Sequence, residues 1–359
     1  MANTQTRFTA LGMSGSGKTC YVLGMYYQMI TGYKGFSLKA GSDSLTKLEA
    51  WMDKLDDESG GDRFPAGTAL TEVSDYEFKL KYSLKDIMTF NWIDYGGGTL
   101  RARESNPEAY QLLNESIEQS TVLYIFIDGE SLCHDDAESR LKAIKKGIRT
   151  INAFLLEFSE YHQKEMPPII FVITKADLCA QYMGAQEMDT EIPRIMKECF
   201  DFLMCDGIRF YVTMVSLGEE ISENNYSGEV EPVNMHLPFF IGIYHQFLNF
   251  CLTLKSEIDA EEGRNNGNIN DYYSQIAHEK RKTGIGFLDR LLRNDSNIAY
   301  CKRQIEEANK TIHSNRELLV HYKELMQAVS TQLLRDSIYF KMFENGIEKD
   351  FDAKESYQL

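Results

Sequence analysis

Eight residues near the amino terminus constrain this chain more than any others. Gly12-Met13-Ser14-Gly15-Ser16-Gly17-Lys18-Thr19 fits the pattern GxxxxGK[ST]. It lies between an apolar stretch, Arg7–Met13, that reads as a strand and a run, Lys18–Ile30, that reads as a helix. Glycines let such a loop wrap so tightly that successive N–H groups point inward at a phosphate. The loop then feeds into a helix N-terminus, where backbone amides and the helix dipole favour an anion. Gly12, Ser14, Gly15, Ser16, Gly17, Lys18 and Thr19 are the expected phosphate cradle, with the Lys18 ammonium on the terminal phosphates and the Thr19 hydroxyl on Mg²⁺.

The alternation continues along about 255 residues. Lys39–Asp57 has helical spacing through Leu45, Leu48, Trp51, Met52 and Leu55. After a loop marked by Gly60, Gly61 and Pro65, the residues Tyr76, Phe78, Leu80 and Tyr82 alternate with polar ones as a half-buried strand, and Ile87–Ile93 supplies its hairpin partner. Then follow a helix over about 106–119, a buried strand Val122–Ile127, a long helix Ala137–Tyr161 and a strand Ile169–Ile173. A helix Ile192–Leu203, a strand Ile208–Met214, an acidic loop Leu217–Asn234 that reads as mobile, and a closing helix Phe239–Leu254 complete the domain. Apolar strands alternating with helices predict a P-loop α/β fold with a mostly parallel central sheet covered on both faces.

Beyond residue 255 the character changes. Residues 256–296, which open with the polar, Glu- and Asn-rich stretch Ser256–Asp271, read as a linker with short helices, 297–340 as one long helix and 341–359 as a tail. In that helix Ile298, Ile305, Ile312, Leu319, Met326 and Leu333 recur every seven residues, with Cys301, Ala308, Asn315, Tyr322 and Val329 three positions on. This is an a/d seam of about five heptads, roughly 50 Å long. Two packings are open: association with another chain or a second copy through 298–333, or packing on the chain's own first domain or its Phe239–Leu254 helix.

Charge bears on partners. Thirty-eight basic residues against fifty-four acidic give a net charge of −16. That disfavours general binding to nucleic acid or anionic lipid, yet leaves room for one narrow polyanion pocket built from uncharged amides, a lysine and a metal. Seven cysteines with no CxxC pair suggest reduced thiols. His134, Asp135 and Asp136 beside Cys133 match no metal-site spacing and read as an acidic helix start. Neither Met1-Ala2-Asn3-Thr4 nor Ser356–Leu359 carries a targeting or lipidation signal, and no run of about 18 uncharged apolar residues stands out. The expectation is a cytoplasmic chain with no stable membrane anchor and no nucleic-acid partner.

Two further motifs identify the ligand. Asp94-Tyr95-Gly96-Gly97, at the end of the strand Phe90–Ile93, fits DxxG, with Asp94 expected to hold Mg²⁺ through water and the Gly97 N–H to face a γ-phosphate. Thr174-Lys175-Ala176-Asp177 follows the strand Ile169–Ile173. A carboxylate at Asp177 would accept from guanine N1–H and the 2-amino group, both of which adenine lacks, and Lys175 would cover the base and brace the phosphate loop. The expected ligands are GTP or GDP with Mg²⁺.

In this order the motifs resemble those of the Ras-like, translation-factor-related P-loop GTPases, over about residues 7–255. The phosphate loop continues into Cys20, as is common among the small Ras-like members, and Val215-Ser216-Leu217 is similar to their final base loop, with Leu217 standing where alanine is usual. The long segment after Thr19 and the run Arg63-Phe64-Pro65-Ala66-Gly67-Thr68 are most similar to bacterial double-GTPase-type proteins. The resemblance implies a switch I threonine that ligates Mg²⁺, either Thr68, which suits its Pro-Ala-Gly context, or Thr71, which suits the gap to the next strand. It implies catalytic roles for Gly97 and Thr68.

Gly98 follows DxxG where many members of the superfamily place a water-positioning glutamine, so intrinsic hydrolysis is expected to be slow or to depend on a partner. Arg101 and Arg103 are either a cis arginine finger or solvated charge. The first functional reading is a guanine-nucleotide switch with a protein effector or activator. A non-cycling nucleotide-binding adaptor that uses the heptad helix is the alternative, and a P-loop ATPase, opposed by Asp177, is the third.

Overall fold

In the computed structural model, residues 6–57, 63–65, 73–101, 107–161, 166–219, 221, 229–280, 287–335 and 339–352 are described. The elements run β1 (Thr6–Gly12), α1 (Lys18–Ile30), β2 (Phe36–Ala40), α2 (Ser42–Leu55), β3 (Val73–Tyr82) and β4 (Lys85–Tyr95). There follow α3 (Pro107–Glu118), β5 (Val122–Ile127), α4 (Ala137–Tyr161), β6 (Ile169–Ile173), α5 (Ala176–Tyr182), α6 (Ala185–Cys199) and β7 (Arg209–Met214). The chain continues with α7 (His236–Lys280), α8 (Phe287–Arg335), β8 (Phe340–Glu344) and β9 (Ile347–Lys349).

The nine strands form one sheet in the order β2-β3-β4-β1-β5-β6-β7-β8-β9. Its centre, β4-β1-β5-β6-β7, is parallel throughout, while β2 and β3 on one side and β8 and β9 on the other pair antiparallel. The fold is thus mixed α/β, parallel at the core and antiparallel at both margins. Each margin is built on a hairpin whose two turn residues have positive φ, Ser83 and Leu84 between β3 and β4, and Asn345 and Gly346 between β8 and β9. Such turns match the twist of the strands they join.

Side-chain alternation divides the core between the two faces of the sheet. Leu123, Ile125 and Ile127 of β5, Ile169, Phe171 and Ile173 of β6, and Phe210, Val212 and Met214 of β7 point into one cluster with Ile144, Ile148 and Ile151 of α4 and Ile192, Ile195 and Met196 of α6. The opposite face is aromatic. Phe8 lies 5.1 Å from Phe90 and 5.7 Å from Tyr124, Trp92 lies 4.5 Å from Tyr124, Tyr21 of α1 reaches Trp92 at 5.4 Å, and Phe239 of α7 reaches Phe90 at 5.5 Å. Aromatic residues that look scattered in sequence are gathered here by the period-two geometry of strands.

The chain divides into two compact units. The first is Met1–His245 with Thr331–Phe351, and the second is Gln246–Ser330 with Asp352–Leu359. In the second, α7 and α8 run antiparallel. Asn265 Nδ2 donates to Asn309 Oδ1 at 2.9 Å, Asn315 Nδ2 donates to Glu257 Oε2 at 3.1 Å, Arg316 pairs with Glu262, and the Phe250 ring lies tilted 4.9 Å from that of Tyr322. The seam residues Ala308, Ile312 and Asn315 are buried, so α8 uses its heptad pattern on a helix of its own chain.

Several expectations are corrected. Residues 256–280 are not a linker but the continuation of α7, and α8 starts at Phe287, ahead of the expected 297. The tail contains β8 and β9. The segment expected as one helix over 39–57 begins as β2, and α5 precedes α6 where a single helix was expected. One window of α7 within His236–Asp271 is long and apolar enough to cross a bilayer by length and composition, although 72% of it is buried inside the protein.

Candidate functional site

Because β4, β1, β5, β6 and β7 are parallel, their carboxyl ends lie along one edge of the sheet, where open α/β sheets bind ligands. Asp94, the Gly12–Thr19 loop, Asp128, Thr174 and Ser216 all stand at those ends.

The loop after β1 turns through Gly15 (φ 80°) and Gly17 (φ 79°), conformations that favour glycine. Gly17 is also the N-cap of α1, and a Cβ there would come within 3.0 Å of the Thr174 side chain. Lys18 is buried and folds back over the loop, its Nζ donating to Gly12 O at 2.9 Å and to Met13 O at 3.3 Å. Burial lowers its pKa from the usual lysine value, with the Asp94 carboxylate opposing that shift. Ser14 and Gly15 are exposed at the tip and Cys20 is partly exposed. Ser16 is buried, its hydroxyl without a hydrogen-bond partner among the described residues.

Thr19 Oγ1 donates to Asp94 Oδ2 at 2.9 Å, and Asp94 is fully buried. Among the described residues no group of three or more His, Cys, Asp or Glu could hold a metal alone. A hydroxyl and a carboxylate meeting beside a phosphate loop do suit Mg²⁺, which takes few protein oxygens and completes its shell from phosphate and water. Gly97 lies directly against the loop, since a Cβ on it would fall 2.0 Å from Ser14 N and 2.4 Å from the Met13 carbonyl carbon. Only glycine permits that approach.

At the other end of the edge, Ser216 Oγ donates to Asp177 Oδ1 at 2.5 Å and itself accepts from Gly218 N at 3.1 Å. The structure therefore brings Thr174, Asp177 and Ser216 together from the ends of β6 and β7. Leu217 turns inward: a Cβ on Gly24 of α1 would meet its Cδ2 at 2.7 Å.

Lys175 differs from expectation. Its Nζ pairs with Glu130 Oε2 at 2.9 Å and Asp128 Oδ1 at 3.1 Å, and the phosphate loop is braced instead by Thr174 Oγ1, which donates to Ser16 O at 3.1 Å. Burial works against the Lys175 ammonium, but the two carboxylates outweigh it and raise its pKa. The hydrogen bond from Lys175 in turn holds Glu130 below its usual range. Asp128 and Glu130 belong to no motif in the sequence, where the signal at this place is an Asp-Gly pair directly after the buried strand Val122–Ile127.

Thr68, Thr71 and Arg103 lie outside the described residues, and Arg101 closes a 3-10 turn, Thr99–Arg101. Beside the loop a cavity of about 800 Å³ is lined by Met13, Ser14, Ser16, Asp128, Cys133 and Ile148 among others, and neither Asp177 nor Ser216 lines it.

Residues 8–216 match the model of a family described as Double-GTPase 2. No curated protein matches the chain.

Proposed function

The chain belongs to the Double-GTPase 2 family, and from that premise we propose that it is a cytoplasmic guanine-nucleotide switch, loaded with GTP and Mg²⁺ at the Gly12–Thr19 loop. One observation carries the reading: the phosphate set Lys18, Thr19 and Asp94 and the base set Thr174, Asp177 and Ser216 line the same strand ends, each held by its own hydrogen bonds.

The residues divide the work. Loop amides and Lys18 would bind the phosphates. Thr19, a switch I threonine (Thr68 or Thr71) and, through water, Asp94 would hold Mg²⁺, which would offset charge on the phosphate oxygens. Asp177 would accept from guanine while Ser216 fixes the carboxylate's position. Gly97 would present its amide to the end of the polyphosphate. With no side chain at Gly98 to orient water, unaided hydrolysis would be slow, and a partner or an arginine at 101 or 103 would supply the missing group. Seven cysteines with no CxxC pair fit a reducing compartment. The α7–α8 pair would carry contact with an effector or activator.

Gly98 also favours the second reading, an adaptor that holds nucleotide without cycling, and single-turnover phosphate release separates the two. Isothermal titration with the full chain in Mg²⁺ tests the ligand itself. GTP and GDP should bind about 100-fold or more tighter than ATP, and equal ATP affinity would sink the guanine assignment.

A further inference from the structure

The turn after β5 and the adjoining helix α5 each carry a thiol to which the nucleotide reading assigns no role. Gly129 O accepts from Cys133 Sγ at 3.6 Å and from Cys179 Sγ at 3.3 Å, so both sulfurs converge on one carbonyl oxygen. Cys133 ends the 3-10 turn Gly129–Leu132, is partly exposed and lines the cavity beside the phosphate loop. Cys179, in α5, is fully buried. One thiol is thus reachable from solvent and the other waits behind it.

The two thiols are also neighbours, meeting at that same carbonyl. That contact lowers the pKa of Cys133 from its usual value, against burial and the Glu130 and Asp128 carboxylates and with help from Lys175. The same contact, with burial, pushes the Cys179 thiol strongly up. A more acidic, accessible thiol backed by a protonated one is the arrangement of an attacking and a resolving cysteine.

We propose that Cys133 and Cys179 form a thiol-oxidation site, at which a peroxide oxidises Cys133 and Cys179 then closes an intramolecular disulfide. In the first step the Cys133 thiolate attacks a peroxide oxygen. The S–O bond forms, the O–O bond breaks, hydroxide leaves, and sulfur gives up two electrons. In the second step the Cys179 sulfur attacks the Cys133 sulfenic acid. The S–S bond forms, hydroxide is expelled and takes up the Cys179 proton, so two thiols and one hydrogen peroxide give one disulfide and two waters. The bond staples the Gly129–Leu132 turn to α5. These are the two pieces that Lys175 joins through Asp128 and Glu130, and α5 carries Asp177.

The test treats the reduced full-length chain with a few equivalents of hydrogen peroxide, blocks remaining thiols with N-ethylmaleimide and maps peptides without reduction. The expected result is a Cys133–Cys179 link within one chain, two fewer free thiols, and reversal by dithiothreitol. Cys133→Ser should abolish the link, and Cys179→Ser should leave a sulfenic acid at Cys133 that dimedone traps. If the buried Cys179→Ser variant does not fold, the map of the unmodified chain and the Cys133→Ser variant decide. Maleimide on Cys133 at peroxide doses that oxidise the exposed Cys205 would overturn the proposal, as would links between chains in place of this one. None of these readouts needs nucleotide, so the outcome is separable from the guanine reading.

Discussion

Thr19 Oγ1 donates to Asp94 Oδ2 at 2.9 Å, tying the first turn of α1 to the end of β4. The contact joins the Gly12–Thr19 loop to the start of the DxxG segment and leaves two hard oxygen donors side by side. It also makes the Mg²⁺ assignment open to experiment.

Asp94→Asn keeps the shape of the side chain and removes its charge. Release of a fluorescent GTP analogue in Mg²⁺ should speed up about tenfold or more and lose its sensitivity to EDTA. Release that EDTA still accelerates as in the unmodified chain would place the metal elsewhere.

Asp177→Asn trades an acceptor for a donor opposite the base. GDP affinity should fall about 100-fold and preference should pass to xanthosine diphosphate, whose 2-oxo group accepts. Ser216→Ala removes only the hydroxyl that donates to Asp177 at 2.5 Å, and about a tenfold loss of GDP affinity is expected, the value of one hydrogen bond to a charged group. Calorimetric titration reads both.

Gly97→Ala would set a methyl group 2.0 Å from Ser14 N, a backbone atom that cannot rotate away. The expected cost is about 1–3 kcal/mol of stability, together with weaker nucleotide binding. Gly184→Ala is the control, because nothing lies within 4 Å of the added Cβ and φ there is −68°. At the N-cap of α6 it should cost no more than about 1 kcal/mol and leave nucleotide binding unchanged. Thermal melts with and without GDP compare the two.

Glu344 on β8 accepts from Lys349 on β9 at 2.6 Å and from Arg209 on β7, and these bonds hold its pKa below the usual 4.5. A carboxylate depressed in the folded state contributes stability that is complete above its unfolded pKa and is lost as pH falls through the folded one. Glu344→Gln should therefore cost about 1 kcal/mol at neutral pH and nothing at low pH. Urea midpoints measured from about pH 7 to about pH 3 should converge for the two proteins at the acid end. Parallel curves would mean that the pair does not act through charge.

How much of this could be read beforehand followed how local each signal is. The bounds of α1, β5, α4 and β6 match their sequence patterns residue for residue, because an amphipathic stretch or a buried apolar run carries its own period. The α7 segment past residue 255 did not look helical in a packed protein. Its inward position Asn265 is polar and is satisfied by Asn309, a partner known only from the fold. The Asn345-Gly346 turn was a legible hairpin signal that the polar context obscured. That β8 pairs with β7 was not legible, since nothing local links Phe340 to Thr213.

By itself the sequence determined the GxxxxGK[ST] motif at Gly12–Thr19, the order of the later motifs and the parallel centre of the sheet, since each depends on residue types at short spacing. Only the tertiary structure decided that Asp177 is oriented by Ser216, that Lys175 is held by Asp128 and Glu130 while Thr174 braces the loop, and that two thiols meet at Gly129. Those pairings join the ends of different strands. Their distances are set by the register and twist of the whole sheet, a property no short stretch of sequence carries.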